Sequence, residues 1–174
     1  EDYLELRNYL GTDVHGILGY ELFSSFVIEI NYEKRILTIA NPAKYKVRRK
    51  FDVLPMTVED TKPYIVTLVT LPGGSQIKAK LLVDSGASHG MLLDPASDTL
   101  IKVPRDYVSS QIGRGIGGVI VGKVGSIESI QIGKYTLENP IANFPDPNSY
   151  MDSLKLGTSK RNGTIGGEIL SRFT

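Results

Sequence analysis

Leu81-Leu82-Val83-Asp84-Ser85-Gly86-Ala87 is an apolar run that stops abruptly on a carboxylate followed by a glycine turn. Reading backwards, Ile77-Lys78-Ala79-Lys80-Leu81-Leu82-Val83 alternates as a strand. Pro72-Gly73-Gly74-Ser75 is a turn, and Tyr64-Ile-Val-Thr-Leu-Val-Thr-Leu71 is the strand before it. The segment is therefore a hairpin whose second strand ends at Asp84. A carboxylate at the end of a buried strand costs free energy unless it is hydrogen-bonded. The turn at Ser85 and Gly86 offers backbone N–H groups and a hydroxyl, and Gly86 permits close backbone approach. Taken alone, Asp-Ser-Gly also fits an ordinary β-turn after a strand, so its meaning rests on what surrounds it.

Downstream, Met91-Leu92-Leu93 reads as a short strand followed by a polar loop. A glycine-rich segment at 113–118 is flanked by Ile112 and Val119-Ile120-Val121, and residues 126–132 and 135–142 alternate as strands around a Gly133-Lys134 turn. A loop rich in Pro, Asp, Asn and Ser covers 145–153. Upstream, residues 17–26 suit one or two helical turns with Leu18, Leu22 and Phe26 on one face. Residues 26–39 read as a hairpin about a Glu33-Lys34 turn, with Ile28, Ile30 and Tyr32 on one face. Residues 43–52 are strongly basic and read as a solvated connector. Eighteen glycines and nine prolines, with Val, Ile, Thr and Tyr in the apolar stretches, predict an all-β fold with one or two short helices.

The chain also repeats itself. Gly16-Ile-Leu-Gly-Tyr-Glu-Leu-Phe-Ser-Ser-Phe26 aligns without gaps on Gly163-Thr-Ile-Gly-Gly-Glu-Ile-Leu-Ser-Arg-Phe173, at an offset of 147 residues. The pairs Gly16/Gly163, Gly19/Gly166, Glu21/Glu168, Ser24/Ser171 and Phe26/Phe173 are identical. Such an offset is domain-sized rather than solenoid-sized. The reading is a tandem cut out of frame: 1–42 the C-terminal tail of a preceding lobe, 43–53 a basic linker, and 54–174 most of the next lobe, truncated before its last strands. On that reading the 26–39 hairpin is expected to fill an open sheet edge, within the 60–170 body or in a neighbouring copy.

The order of these motifs resembles the retropepsin-like aspartic proteases. Asp84-Ser85-Gly86-Ala87 matches their Asp-Thr/Ser-Gly-Ala active loop. Ile112-Gly-Arg-Gly-Ile-Gly-Gly-Val-Ile120 looks like the retroviral flap, and Gly163-Thr-Ile-Gly166-Gly-Glu-Ile-Leu170 like the apolar-apolar-Gly motif and terminal helix. Two-lobed bacterial proteins of this type are the likeness for the whole chain. The resemblance implies a closed β-barrel lobe and an aspartic endopeptidase, with Asp84, Ser85 and Gly86 as the catalytic loop. It implies substrate contacts from Ala87, Gly115, Ile116, Gly117 and Gly118. Aspartic proteases work with two carboxylates that share a proton around a water. No second Asp-Thr/Ser-Gly exists in this chain, because Asp13, Asp94, Asp98 and Asp152 lack the preceding strand or the following glycine. The resemblance therefore implies a partner: a second retropepsin-like lobe, expected upstream of Glu1, or a homodimer. A non-catalytic peptide-binding or assembly module on the same fold is the alternative.

Other chemistries fit poorly. Twenty basic and nineteen acidic side chains leave a formal net charge of +1, which argues against a nucleic-acid binder held by a basic face. There is no cysteine, hence no thiol catalysis and no thiolate zinc site, and two histidines are too few for a multi-His metal site. No cofactor or metal is implied. The glycines at 113–118 are not followed by the Lys-Ser/Thr of a phosphate loop. Ser85, Ser88 and His89 do not make a serine triad. His89 is read as a loop or partly buried side chain rather than an acid–base partner of Asp84. No apolar run approaches the roughly 20 residues of a membrane helix. Export to a bacterial periplasm is suggested by family likeness alone.

Overall fold

The computed structural model describes residues 11–115, 118–147 and 160–173. Strand β1 (Val27–Asn31) pairs with β2 (Ile36–Ala40) as a separate two-stranded sheet, and helix α1 (Tyr20–Ser25) leads into it. The remaining strands form one ten-stranded sheet. They are β3 (Thr57–Glu59), β4 (Lys62–Thr70), β5 (Gln76–Val83), β6 (Met91–Leu93), β7 (Val108–Gly115), β8 (Gly118–Ser126), β9 (Ser129–Ile132), β10 (Tyr135–Glu138), β11 (Ile141–Pro145) and β12 (Gly163–Ile165). The order is β10-β9-β4-β5-β12-β6-β11-β8-β7, with β3 on β4, and a second short helix, α2 (Gly167–Leu170), follows β12.

Hairpin β4–β5 forms where the alternation predicts it. Ile77, Ala79 and Leu81 point into the core while Gln76 and Lys78 stay exposed, the period-2 signature of a half-buried strand. Its turn uses Gly73 (φ 89°) and Gly74 (φ 81°), a backbone that only glycine adopts without strain. The Glu128 carboxylate Oε1 accepts the N–H of both Gly73 (2.9 Å) and Gly74 (3.0 Å). The Glu128 backbone bridges Thr70 and Asn139, its N–H donating to Thr70 O (3.0 Å) and its carbonyl accepting from Asn139 N (2.8 Å). One exposed side chain thus ties the first hairpin to β9. Glu128→Ala is expected to cost about 1 kcal/mol, or roughly 2–4 °C in melting temperature, read by thermal denaturation.

The centre of the sheet is β12. It pairs in parallel with β5 (Gly163 opposite Leu81, Ile165 opposite Val83) and antiparallel with β6 (Gly163 opposite Leu93, Ile165 opposite Met91). All three residues of β6 and all three of β12 are buried, as strands in mid-sheet must be. Asn162 extends this seam by a residue. Its N–H donates to Lys80 O (2.8 Å), its Oδ1 accepts from Lys80 N (2.9 Å), and its carbonyl accepts from Asp94 N (2.8 Å). Around the seam Val69, Leu71, Leu81, Met91, Leu93, Ile127, Ile130, Phe144, Ile165 and Ile169 form the core.

Hairpin β7–β8 confirms the glycine-rich segment as two strands, in register from Val108–Val124 to Gly115–Gly118. A bulge at Ile112, between the Gln111–Val121 and Gly113–Ile120 pairs, turns that side chain inward against Leu92. Gly122 makes the room, since a Cβ there would lie 2.4 Å from Phe144 O and 2.8 Å from Ile112 Cδ1.

The all-β class with two short helices is as the sequence predicts. Three features differ. The sheet does not close into a barrel among the described residues, because β10 and β7 remain as unpaired ends. Residues 135–142 are not one strand: Asn139 takes φ 51° and Pro140 has no N–H to donate, so the chain breaks between β10 and β11. Among the described residues the 26–39 hairpin pairs with no strand of the large sheet, so it does not fill an edge there. Residues 41–56 contain no helix or strand, and their charges are largely solvated. Lys134 reaches Asp52 (3.1 Å) and Arg48 lies 4.0 Å from Glu29.

Candidate active site

Asp84 follows directly on β5, where the parallel pairing with β12 ends. Its N–H donates to Ile165 O (3.0 Å), and its Oδ1 accepts the N–H of Gly86 (3.0 Å), closing an Asx turn. The Asp84 carbonyl accepts from Ala87 N (3.3 Å). The carboxylate is half-buried, and Ser85 and Gly86 are exposed beside it.

The loop from Asp84 to Gly90 is clamped from the other side by the start of α2. Gly167 N donates to Ala87 O (2.7 Å) and Gly166 N to Gly90 O (2.9 Å). The fit leaves no room for side chains. A Cβ on Gly166 would lie 2.2 Å from His89 O and 2.9 Å from Ala87 O. Three backbone hydrogen bonds from Ile165, Gly166 and Gly167 therefore set the path of the loop that presents Asp84.

The structure brings Asp84, Ser85, Gly86 and Ala87 together in this loop, with the Ala87 carbonyl serving as an anchor on α2. Gly115 and Gly118 lie on β7 and β8, separated from β5 by β12, β6 and β11, and among the described residues no hydrogen bond joins them to the loop. Ile116 and Gly117 lie outside the described residues, as do Asp152 and most of the 145–153 loop. Asp94 and Asp98 are turn formers, their Oδ1 atoms accepting the N–H of Ala96 (2.8 Å) and Leu100 (2.9 Å). Sequence reasoning did not single out Asn162, and it met Gly167 and Glu168 only as members of the repeat and of the terminal-helix motif. Glu168 stands 3.1 Å from where a Gly90 Cβ would be, and 3.9 Å from the Arg172 guanidinium. Its identity with Glu21 in the repeat was the available signal.

His89 is partly buried in the same loop, and its Nε2 has no hydrogen-bond partner among the described residues. Burial lowers its pKa from the ordinary value, while the negative charges of Asp84 and Glu168 act in the opposite sense. A histidine whose folded pKa is depressed binds fewer protons folded than unfolded. Its contribution to stability is therefore complete above about pH 6.5 and is lost as pH falls through the folded pKa. An imidazole NMR titration is expected to give a His89 midpoint below about 6.5. In Asp84→Asn the midpoint should drop further, because the carboxylate that favours the imidazolium is gone.

Clefts are formed elsewhere by the described residues. A smaller one is lined by Gly90, Thr136, Asn139, Glu168, Ile169 and Arg172, and a larger one, of about 630 Å³, by Leu71, Gly73, Lys102, Pro104 and Asn139 among others. Asp84 lines neither.

Residues 69–168, more than half of the chain, match the family model described as "Aspartyl protease". No curated protein matches it. Among solved structures, the chain is similar to a retropepsin-like aspartic protease from Rickettsia conorii, at 16% identity and TM-score 0.46, with 71% of this chain and 91% of that one covered. It is also similar to the EIAV protease complexed with the inhibitor HBY-793, at 14% identity and TM-score 0.42, with 72% and 93% covered.

Proposed function

The chain belongs to the aspartyl protease family, and from that premise we propose that it acts as one half of an aspartic endopeptidase, with Asp84 as one of two carboxylates. The observation that carries this reading is the loop itself: an Asp-Ser-Gly at a strand end, its carboxylate held by Gly86 and its backbone clamped onto Ile165–Gly167. The chain contains a single such loop. The second carboxylate, and the other wall of a substrate channel, then come from another lobe or subunit. Residues 1–42 belong on this reading to the tail of a preceding lobe, 43–53 to a linker and 54–174 to the lobe that carries Asp84.

Two carboxylates about 3 Å apart cannot both ionise, so they share one proton and titrate as a pair. The ionised oxygen takes a proton from a water as that water attacks the peptide carbonyl carbon. The protonated carboxyl gives its proton to the carbonyl oxygen. The resulting gem-diol collapses: the nitrogen takes a proton from the protonated carboxyl as the C–N bond breaks, and a gem-diol hydroxyl gives its proton to the ionised carboxylate, which restores the pair. Ser85 keeps the hydroxyl that the family's loop carries at that position. An extended peptide would lie along the loop by main-chain pairing, contacting Ala87 and, from the β7–β8 hairpin, Gly115, Ile116, Gly117 and Gly118. Closure of that hairpin would exclude water from the bond being cut.

The test is cleavage of a mixed peptide library between pH 3.5 and 7.5, parent against Asp84→Asn, with the products sequenced. Cleavage by the parent alone supports the reading. Cleavage by neither form, at concentrations where the chain self-associates, favours a peptide-binding module on the same fold.

A further inference from the structure

We infer that residues 16–26 are a strand-and-helix plug, in which Gly16-Ile17-Leu18 enters a second lobe between that lobe's counterparts of β5 and β6 and α1 packs behind it. The inference rests on the two-lobe reading above and names the segment that closes that second lobe.

The chain contains both this segment and, elsewhere, its repeat seated in such a socket. At the 147-residue offset the two segments agree in conformation as well as in sequence. Gly19 precedes α1 at φ −103°, ψ −165°, and Gly166 precedes α2 at φ −120°, ψ −169°. Ser24 Oγ donates to Glu21 O (3.3 Å), and Ser171 Oγ to Glu168 O (2.9 Å). Their surroundings are opposite. Thr164 and Ile165 are 5% and 1% exposed, whereas the matching Ile17 and Leu18 are 71% and 62% exposed. Helix α2 buries Ile169, while α1 buries nothing. The more apolar of the two segments is therefore the one in solvent.

The glycines identify what covers it. Around β12 the socket admits no side chain at two positions. A Cβ on Gly163 would lie 1.9 Å from Leu92 O, and one on Gly166 would lie 2.2 Å from His89 O. Gly16 and Gly19 stand at the same two positions of the exposed segment, where neither is required by its neighbours. Nothing lies within 4 Å of a Cβ on Gly16, and one on Gly19 would meet only the end of its own Glu21 side chain, at 3.2 Å. Neither glycine has a positive φ. Their spacing matches a socket of the β5–β6 kind. A second copy of this chain is not the simple occupant, since its socket already holds its own β12. Among the glycine positions the one departure is Tyr20 in place of Gly167, where a Cβ would come 3.1 Å from Ala87 O, so that carbonyl must give by a few tenths of an ångström.

The test is a transplant into the socket that the chain itself carries. Residues 163–173 are given the sequence of 16–26 through Thr164→Ile, Ile165→Leu, Gly167→Tyr, Ile169→Leu, Leu170→Phe and Arg172→Ser. The readouts are thermal denaturation and hydrogen exchange of the β5 and β6 amides, neither of which requires peptidase activity. A folded chain with β5 and β6 protected is expected. Replacing Gly163 or Gly166 by Ala in the transplant should abolish that protection, and a transplant with the same eleven residues in scrambled order should lack it. A transplant no more protected than the scrambled one overturns the inference. If Gly167→Tyr alone unfolds the parent, the five-substitution transplant that keeps Gly167 decides by the same criterion. A dimer of the unmodified chain that Ile17→Asp dissolves would make a second copy the occupant, and would also overturn it. A protected transplant in a chain whose assemblies cleave no peptide would leave the plug standing and remove the peptidase reading instead.

Discussion

Asp84→Asn is expected to fold as the parent does while losing about 10²–10⁴-fold of peptide hydrolysis in any assembly that cleaves. The two halves of that expectation have separate causes. Folding at this position uses the Oδ1 acceptor for Gly86 N, the Asp84 N–H on Ile165 O and the Asp84 carbonyl on Ala87 N. Asn supplies all three, because its amide oxygen accepts the same hydrogen bond. The melting temperature should therefore move by no more than about 1–2 °C. Chemistry uses what Asn lacks, a carboxylate oxygen that can take up and release a proton. Asp84→Ala is the informative contrast, since it loses the turn acceptor as well and should fall in both stability and activity. Measured together, rates and melting curves separate the catalytic from the structural work of one carboxylate. An Asp84→Asn protein that still cleaves at the parental rate would remove Asp84 from the chemistry.

Gly163→Ala is expected to be the most damaging single methyl in the lobe. Its Cβ would stand 1.9 Å from Leu92 O, 2.9 Å from Leu92 C and 3.2 Å from Leu93 Cα. These are backbone atoms of β6, so relief requires prising β12 away from a strand it is hydrogen-bonded to. Overpacking by flexible side chains costs about 1–3 kcal/mol. A backbone clash in mid-sheet should exceed that, reaching about 3 kcal/mol or more, a large part of the roughly 5–15 kcal/mol that holds a domain. Loss of the cooperative thermal transition, or a fall of about 10 °C or more, is expected. Gly113→Ala is the matched control. Nothing lies within 4 Å of its Cβ, so it should melt close to the parent. Gly16→Ala should be equally silent in this chain, although it is the counterpart of Gly163.

Much of the lobe was legible from local pattern. The β4–β5 hairpin, the short β6, the glycine-rich β7–β8 hairpin and the turn at Gly133-Lys134 are each written in a few consecutive residues, by alternation and by turn chemistry. The helix start after Gly166 was visible in its motif, whereas the first helix is only Tyr20–Ser25 and leaves Leu18 and Phe26, expected on one helical face with Leu22, outside it. What escaped was decided at a distance. Strand β3 is only Thr57–Glu59, too short to show a period, and exists because it pairs with β4. The break between β10 and β11 follows from Asn139 at φ 51°, whose N–H is drawn to Glu128 O across a turn. The 26–39 alternation correctly marks a hairpin but says nothing of which sheet takes it.

From the order of its residues alone, this protein is a β-rich chain with a carboxylate set on a glycine turn at the end of a buried strand, and with two copies of one plug-like segment. Those features depend on neighbours one to four positions away, which is the range over which alternation and turn preference act. Tertiary structure alone decided that β12 threads between β5 and β6, some eighty residues along the chain from the first and seventy from the second. It decided that Gly122, Gly163 and Gly166 have no space for a methyl group while Gly16 has ample space. Steric exclusion and burial belong to pairs of atoms brought together by the fold, and no local run of sequence records which atoms those will be.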